Sequence, residues 1–281
     1  MSADAPAGGL VDVGGFGLHV AETGTGRPTV LLHGGGPGCT AWSDFAPVVP
    51  RLAAGRRLIL VDFAQYGASD DPDITGVPAD FHAAALLALL DALGVAESDL
   101  VCQSLGGLAA FALAARAPER VRRLVVTGSQ PAPAPPGVGS NTWLGLEARD
   151  RYYGGDGPSP AKMRDLLAAL EWHDPSRLPV ETVARRHAAA TTPMALGLLA
   201  EPARRGTPGD LAAVLPEVTA PVLLLWGEHD PFAGPDYALS LAARLPRADL
   251  AVLGRTAHHP AEERPAAYAL AVSAFLDGDP T

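Results

Sequence analysis

The sequence is poor in cysteine. Cys39 and Cys102 are the two in 281 residues, which excludes a disulfide-dense scaffold and makes reduced thiols in a cytoplasmic protein the simpler expectation. No uninterrupted apolar run reaches membrane-spanning length, so no spanning helix is expected. Met1 to Pro6 lacks the basic segment and apolar stretch of a signal peptide. Positive charge is also scarce. Lys and Arg number 21 against 31 Asp and Glu, a formal net charge of −10, which leaves no electrostatic footprint for nucleic acid or an anionic membrane. No cluster of metal-ligand residues stands out, so neither metal nor cofactor is expected.

What is present suits a globular enzyme. Hydrophobic residues make up 48% and charged residues 19%, enough apolar material for a sizeable core. The length fits one large domain or one domain carrying an insertion. Two strand-like pieces flank Gly14-Gly15 between Leu10 and Glu22. Short apolar runs follow at Thr29–Leu32, Leu58–Val61, Asp99–Cys102, Val121–Val126, Pro221–Trp226 and Leu250–Leu253. Unbroken apolar strands belong in a sheet covered on both faces. Helical patterns at Ala79–Leu93, Leu105–Ala115 and Ala261–Leu276 alternate with them, which predicts a mostly parallel central sheet with helices on both faces. Gln130 to Gly137 is too rich in proline for helix or strand, and residues 139–209 show helical patterns alone. The spacing predicts a helical cap over residues 132–214, inserted between core segments 1–131 and 215–281.

Four segments carry chemistry, each at the end of a predicted strand. In Val101-Cys102-Gln103-Ser104-Leu105-Gly106-Gly107 a strand runs into a helix through Ser104. This is the context of a nucleophile elbow, where a tight turn lifts the hydroxyl above the sheet. Cys102 takes the place of the first glycine in the usual G-x-S-x-G. In His33-Gly34-Gly35-Gly36-Pro37-Gly38 the glycines let N–H groups of Gly35 or Gly36 point into a pocket. With the Leu105 N–H they form a candidate oxyanion hole. Gly38-Cys39 does not supply the Lys or Ser/Thr that a phosphate loop would require after its glycines, and His33 reads as structural. Asp230 follows the strand ending at Trp226, with Glu228 as competitor, and His258-His259 follows Leu253. The order Ser104, Asp230, His258 is that of an α/β-hydrolase triad: the imidazole takes the serine proton and the carboxylate fixes its tautomer.

These segments resemble the α/β-hydrolase superfamily over nearly the whole chain. Val61 to Asp70 is similar to its D-x-x-G-x-G-x-S-D turn, with Gln65 replacing a glycine. The resemblance puts the catalytic histidine five residues before Glu263, which selects His258 over His259, with Ala257 where glycine is usual. Within the superfamily the chain resembles the meta-cleavage product hydrolases, which cleave carbon–carbon bonds in ring-fission dienoates. The segment Val180 to Pro193 is similar to their cap stretch, and Arg186 takes the place of their substrate-binding arginine, implying a bidentate grip on a carboxylate or enolate. Gln103, Asp44, His259 and the neighbouring Trp42 fall in the substrate shell. Gln103 and Asp44 stand where the family has asparagine, and His259 where it has an aromatic. The resemblance therefore implies a small organic substrate, with C–C hydrolysis first and ester or lactone hydrolysis second. A ligand-binding or cyclisation-guiding protein on the same fold is the reading from another class. Homo-oligomers occur in the family, but no interface signal stands out in the sequence.

Overall fold

The computed structural model describes residues 5–278; the segment on which the signal-peptide expectation rests lies partly outside them. An eight-stranded sheet runs through the molecule in the order β1-β2-β4-β3-β5-β6-β7-β8. Its strands are β1 (Gly8–Asp12), β2 (Gly17–Thr23), β3 (Arg27–Leu32), β4 (Arg56–Val61), β5 (Ser98–Gln103), β6 (Val121–Thr127), β7 (Val222–Gly227) and β8 (Ala248–Leu253). β2 pairs antiparallel with both β1 and β4, and the remaining pairings are parallel.

Apolar sequence decides which strands lie inside. Every residue of β5 and β7 is buried, whereas β1 at one edge is mostly exposed and β8 at the other is about half covered. Successive side chains point to opposite faces, so each central strand feeds two cores. Leu32, Val61, Cys102, Val126 and Trp226 pack against helices α3 (Pro78–Ala92), α4 (Leu105–Arg116) and α9 (Pro235–Ala242). Leu31, Leu60, Val101, Val125 and Leu225 pack on the other side, against the short helices α1 (Ala41–Phe45) and α2 (Val49–Leu52) and the last helix, α11 (Pro265–Asp277).

Four helices stand between β6 and β7: α5 (Trp143–Tyr153), α6 (Pro160–Leu170), α7 (Val180–Ala190) and α8 (Pro193–Ala200). They enclose a small core of their own around Tyr152, Met163, Leu167, Trp172 and Val183. The proline-rich stretch before them forms neither helix nor strand. The expected single helix over Ala261–Leu276 is two, α10 (Pro260–Glu263) and α11, because Pro265 has no N–H to continue the ladder and Arg264 takes an extended φ of −134°.

Strand order reverses between β3 and β5, and at such a switch the loops leaving the carboxyl ends diverge and open a crevice. The glycine turn after β3 and the β5–α4 junction flank it, and the loops after β7 and β8 close its side.

Candidate active site

Ser104 joins β5 to α4 with φ 48° and ψ −109°, a backbone region costing on the order of 1–3 kcal/mol that persists only where its surroundings enforce it. The enforcement is visible. The Ser104 N–H donates to the Thr127 carbonyl at 2.8 Å, and the Ser129 hydroxyl donates to the Ser104 carbonyl at 2.6 Å. A Cβ on Gly106 would stand 2.3 Å from the Leu32 carbonyl oxygen, and one on Gly107 2.1 Å from Ser129 Oγ, so both positions must be glycine. Cys102, two residues before the serine, tolerates a side chain because it points into the apolar core. Burial there pushes its thiol pKa well up.

His258 and Asp230 are both buried and meet at 2.8 Å, Nδ1 to Oδ2. The Phe232 N–H donates to the other Asp230 oxygen at 3.0 Å, and the Phe232 ring packs 4.5 Å from the imidazole. Gly128, with φ +64°, makes room, since a Cβ there would lie 2.5 Å from His258 Cε1. Glu228, the competing acid, is half exposed and takes the Arg255 N–H and His229. Glu263 accepts the Ala257 N–H at 2.5 Å and the His173 N–H at 2.8 Å, tying the histidine loop to the segment after α6.

The glycine turn is held from below. His33 accepts the Phe63 N–H on Nε2 at 3.0 Å, so its Nδ1–H donates to the Gly34 carbonyl at 2.6 Å. Asp44 accepts the Gly34 N–H at 2.8 Å and the Ser43 hydroxyl at 2.7 Å. A Cβ on Gly35 would stand 3.3 Å from the Leu105 Cβ, so the turn faces the first residue of α4, whose N–H has no acceptor within the helix. Gly34, Gly35, Gly36, Ser104 and His258 line one cavity of 260 Å³, whose other walls include Glu171, Phe232, His259, Leu146 and Arg149.

Of the residues expected to form the substrate shell, His259 lies on this wall and four do not. Asp44 has both oxygens engaged beneath the turn. Gln103 is buried and donates from Nε2 to the His258 carbonyl at 2.7 Å. Trp42 packs against the core on the α1–α2 side of the sheet. Arg186 is fully buried, grips both Glu171 oxygens at 2.7 and 2.9 Å and donates from Nε to the Pro37 carbonyl at 3.0 Å. Gly38 accommodates this docking, since a Cβ on it would lie 1.9 Å from the Arg186 carbonyl oxygen. The guanidinium thus fastens α7 to the glycine turn, with its charge already met.

Glu171 has no counterpart in the sequence reading. Burial raises its pKa, but Arg186 and His259 outweigh that and hold it at about 2. His259 contacts Glu262 at 3.0 Å and Glu171 at 3.5 Å. Burial lowers its pKa, but Glu171 and Glu262 bring it to about 9. Burial pushes the Glu262 carboxyl up. These three residues bring ligand atoms within 4.8 Å of one another, yet a cation would have to displace Arg186 from Glu171. Their position in a leucine-rich segment and at a helix start carries no motif.

Residues 28–265 match the family model described as alpha/beta hydrolase fold. The chain belongs to the α/β-hydrolase family. This α/β-hydrolase is 34% identical over 271 residues to a 2-hydroxymuconate semialdehyde hydrolase of Pseudomonas sp. strain CF600, covering 93% of this chain and 91% of that one. It is 34% identical over 255 residues to a 2-hydroxy-6-oxononadienedioate/2-hydroxy-6-oxononatrienedioate hydrolase of Burkholderia vietnamiensis, covering 86% and 84%. Among solved structures, a 2-hydroxy-6-oxo-6-phenylhexa-2,4-dienoate hydrolase from Rhodococcus sp. superposes with a TM-score of 0.76 at 25% identity, over 97% of this chain and all of that one.

Proposed function

We propose that Ser104, His258 and Asp230 form a catalytic triad that hydrolyses the carbon–carbon bond beside a ketone in a small organic substrate. The observation that carries this is the His258–Asp230 pair, 2.8 Å apart and buried, on the same cavity as a serine held at positive φ. His258 takes the Ser104 proton as the hydroxyl adds to the carbonyl carbon. The oxyanion forms between the N–H groups of Gly35 or Gly36 and Leu105. Collapse breaks the C–C bond, His258 returns the proton to the departing carbon, and water releases the acyl group by the same steps. A dienol substrate first takes a proton on carbon to become the ketone, and His258 stands where it can move that proton. Names of relatives at 34% identity favour this bond type. Residues 132–214 serve as the cap over the cavity. The two buried cysteines, not joined in a disulfide, fit a cytoplasmic setting.

One observation favours ester or lactone hydrolysis as a second reading. Glu171 occupies Arg186, the residue that the family resemblance assigns to the substrate carboxylate. The same triad splits an ester with no ketonisation.

The test follows the loss of absorbance of a ring-fission dienoate, with Ser104→Ala as control. The expected result is decay by the wild type and a loss of about 10⁴-fold or more in the variant. An organophosphonate should label Ser104 in the wild type alone. Labelling and aryl-ester turnover without dienoate decay select the second reading, and absence of labelling rejects the triad.

A further inference from the structure

A second cavity, of 70 Å³, adjoins the first. The two share Gly35, Gly36, Pro37, Cys39 and Arg149 as walls. Arg149 comes from α5, and Arg205 enters the smaller cavity from the turn after α8. No acidic side chain lines it, in a chain with ten more acids than bases.

Both guanidinium groups present a buried Nε with no hydrogen-bond partner. A guanidinium stays protonated in proteins and offers five donors in a fixed fork. Asp150, 4.0 Å from Arg149, lies at the outer limit of an ion pair and is largely exposed. Among the described residues no carboxylate pairs with Arg205. Of the tyrosines on its wall, Tyr66, which also interacts with the Arg205 side chain, donates to the Gly35 carbonyl at 3.2 Å, and Tyr153 donates to the Ala190 carbonyl at 3.0 Å. Two cations lining a cavity that has no acidic wall are what a carboxylate ligand needs.

We propose that Arg149 and Arg205 form a carboxylate subsite for the substrate in the smaller cavity. The proposal rests on the hydrolase reading, because Arg149 also lines the cavity of Ser104 and so reaches a substrate held there. It deepens that reading by naming the residues that hold the carboxylate of a substrate seated there. Arg186 is excluded from this task by Glu171. The anionic end of the substrate is therefore gripped by cap residues outside the segment of Arg186.

The test uses Ser104→Ala protein and calorimetric titration with glutarate and with its neutral counterpart glutaramide. Glutarate should bind at least about tenfold more tightly than glutaramide. Arg149→Met and Arg205→Met should each weaken glutarate about tenfold to hundredfold, Arg149→Lys should recover part of the loss, and glutaramide should be unaffected. Absent glutarate binding, equal affinity for the two probes, or unchanged glutarate affinity in both methionine variants would overturn the subsite. Because binding is read without turnover, Ser104 labelling with no glutarate binding rejects the subsite alone. Glutarate binding lost in the methionine variants, with Ser104 unlabelled, rejects the triad and keeps the subsite.

Discussion

His258 and His259 are neighbours in the chain and both reach the wall of one cavity, yet they meet different electrostatic surroundings. His258 has one carboxylate, Asp230, on Nδ1. His259 stands between Glu262 and Glu171, which hold it protonated up to about pH 9. A general base must be neutral at working pH to take a proton and must give it back within the cycle. One acid orients an imidazole for that task, whereas two acids in a buried setting make it a fixed cation. These surroundings favour His258 over His259 as the candidate base, as does its spacing from Glu263. His259, with Arg186 and Glu171, forms a charged foundation joining the last core loop to α6, α7 and the glycine turn.

Breaking the acid partner of each histidine should separate the two roles. Asp230→Asn leaves the size of the side chain unchanged but favours the wrong His258 tautomer, and kcat should fall about 10⁴-fold with little change in melting temperature. Glu262→Gln removes the corresponding partner of His259, and kcat should change by less than about tenfold. Steady-state rates on one aryl ester suffice for both variants. Equal losses would mean that both histidines serve the reaction.

The foundation itself is probed by Glu171→Gln. The substitution leaves Arg186, which is fully buried, facing a neutral amide. Removing one member of a buried ion pair costs about 3–5 kcal/mol, and urea unfolding should show a loss of that size. Replacing both partners, as Glu171→Leu with Arg186→Met, removes the uncompensated charge as well and should recover much of it. A single variant as stable as the wild type would show that Glu171 and Arg186 do not stabilise one another.

The contrast between the two histidines also marks how far the sequence could be read. The strands were legible because β3 to β7 are short unbroken apolar runs, and the candidate triad residues because each follows such a run at a fixed place in the strand order. The segments α1, α2 and α9 escaped notice. The first two have five and four residues, too few to display a helical period, and α9 has eight in a stretch apolar on several sides. The contacts of the substrate shell were less legible still. Whether Arg186 faces a ligand or an internal acid depends on Glu171, fifteen residues earlier on another element, and no local pattern records that pairing. Arg149 and Arg205 carry no motif; they stand out only once the fold shows that no acid shares their cavity.

A change of pH separates the two histidines by a smaller margin. The His259 pKa is raised from 6.5 to about 9. Its contribution to stability is therefore complete below about pH 6.5 and disappears as pH rises through 9. Glu171 is shifted the other way, from 4.5 to about 2, so its contribution is complete above pH 4.5 and is lost as pH falls toward 2. Melting temperature should accordingly be highest between about pH 4.5 and 6.5 and decline gradually on the alkaline side. Glu171, Glu262, Asp44 and His258 all face His259, Arg186 is paired with Glu171, and His19 has its own raised pKa beside Asp62. The informative quantity is therefore the difference between wild type and His259→Gln. The variant should be less stable at pH 6 and should lose less on going to pH 9.5, so the two melting curves converge. Parallel curves across that range would mean that His259 does not carry its charge in the folded protein, and its distinction from His258 would then have to rest on position alone.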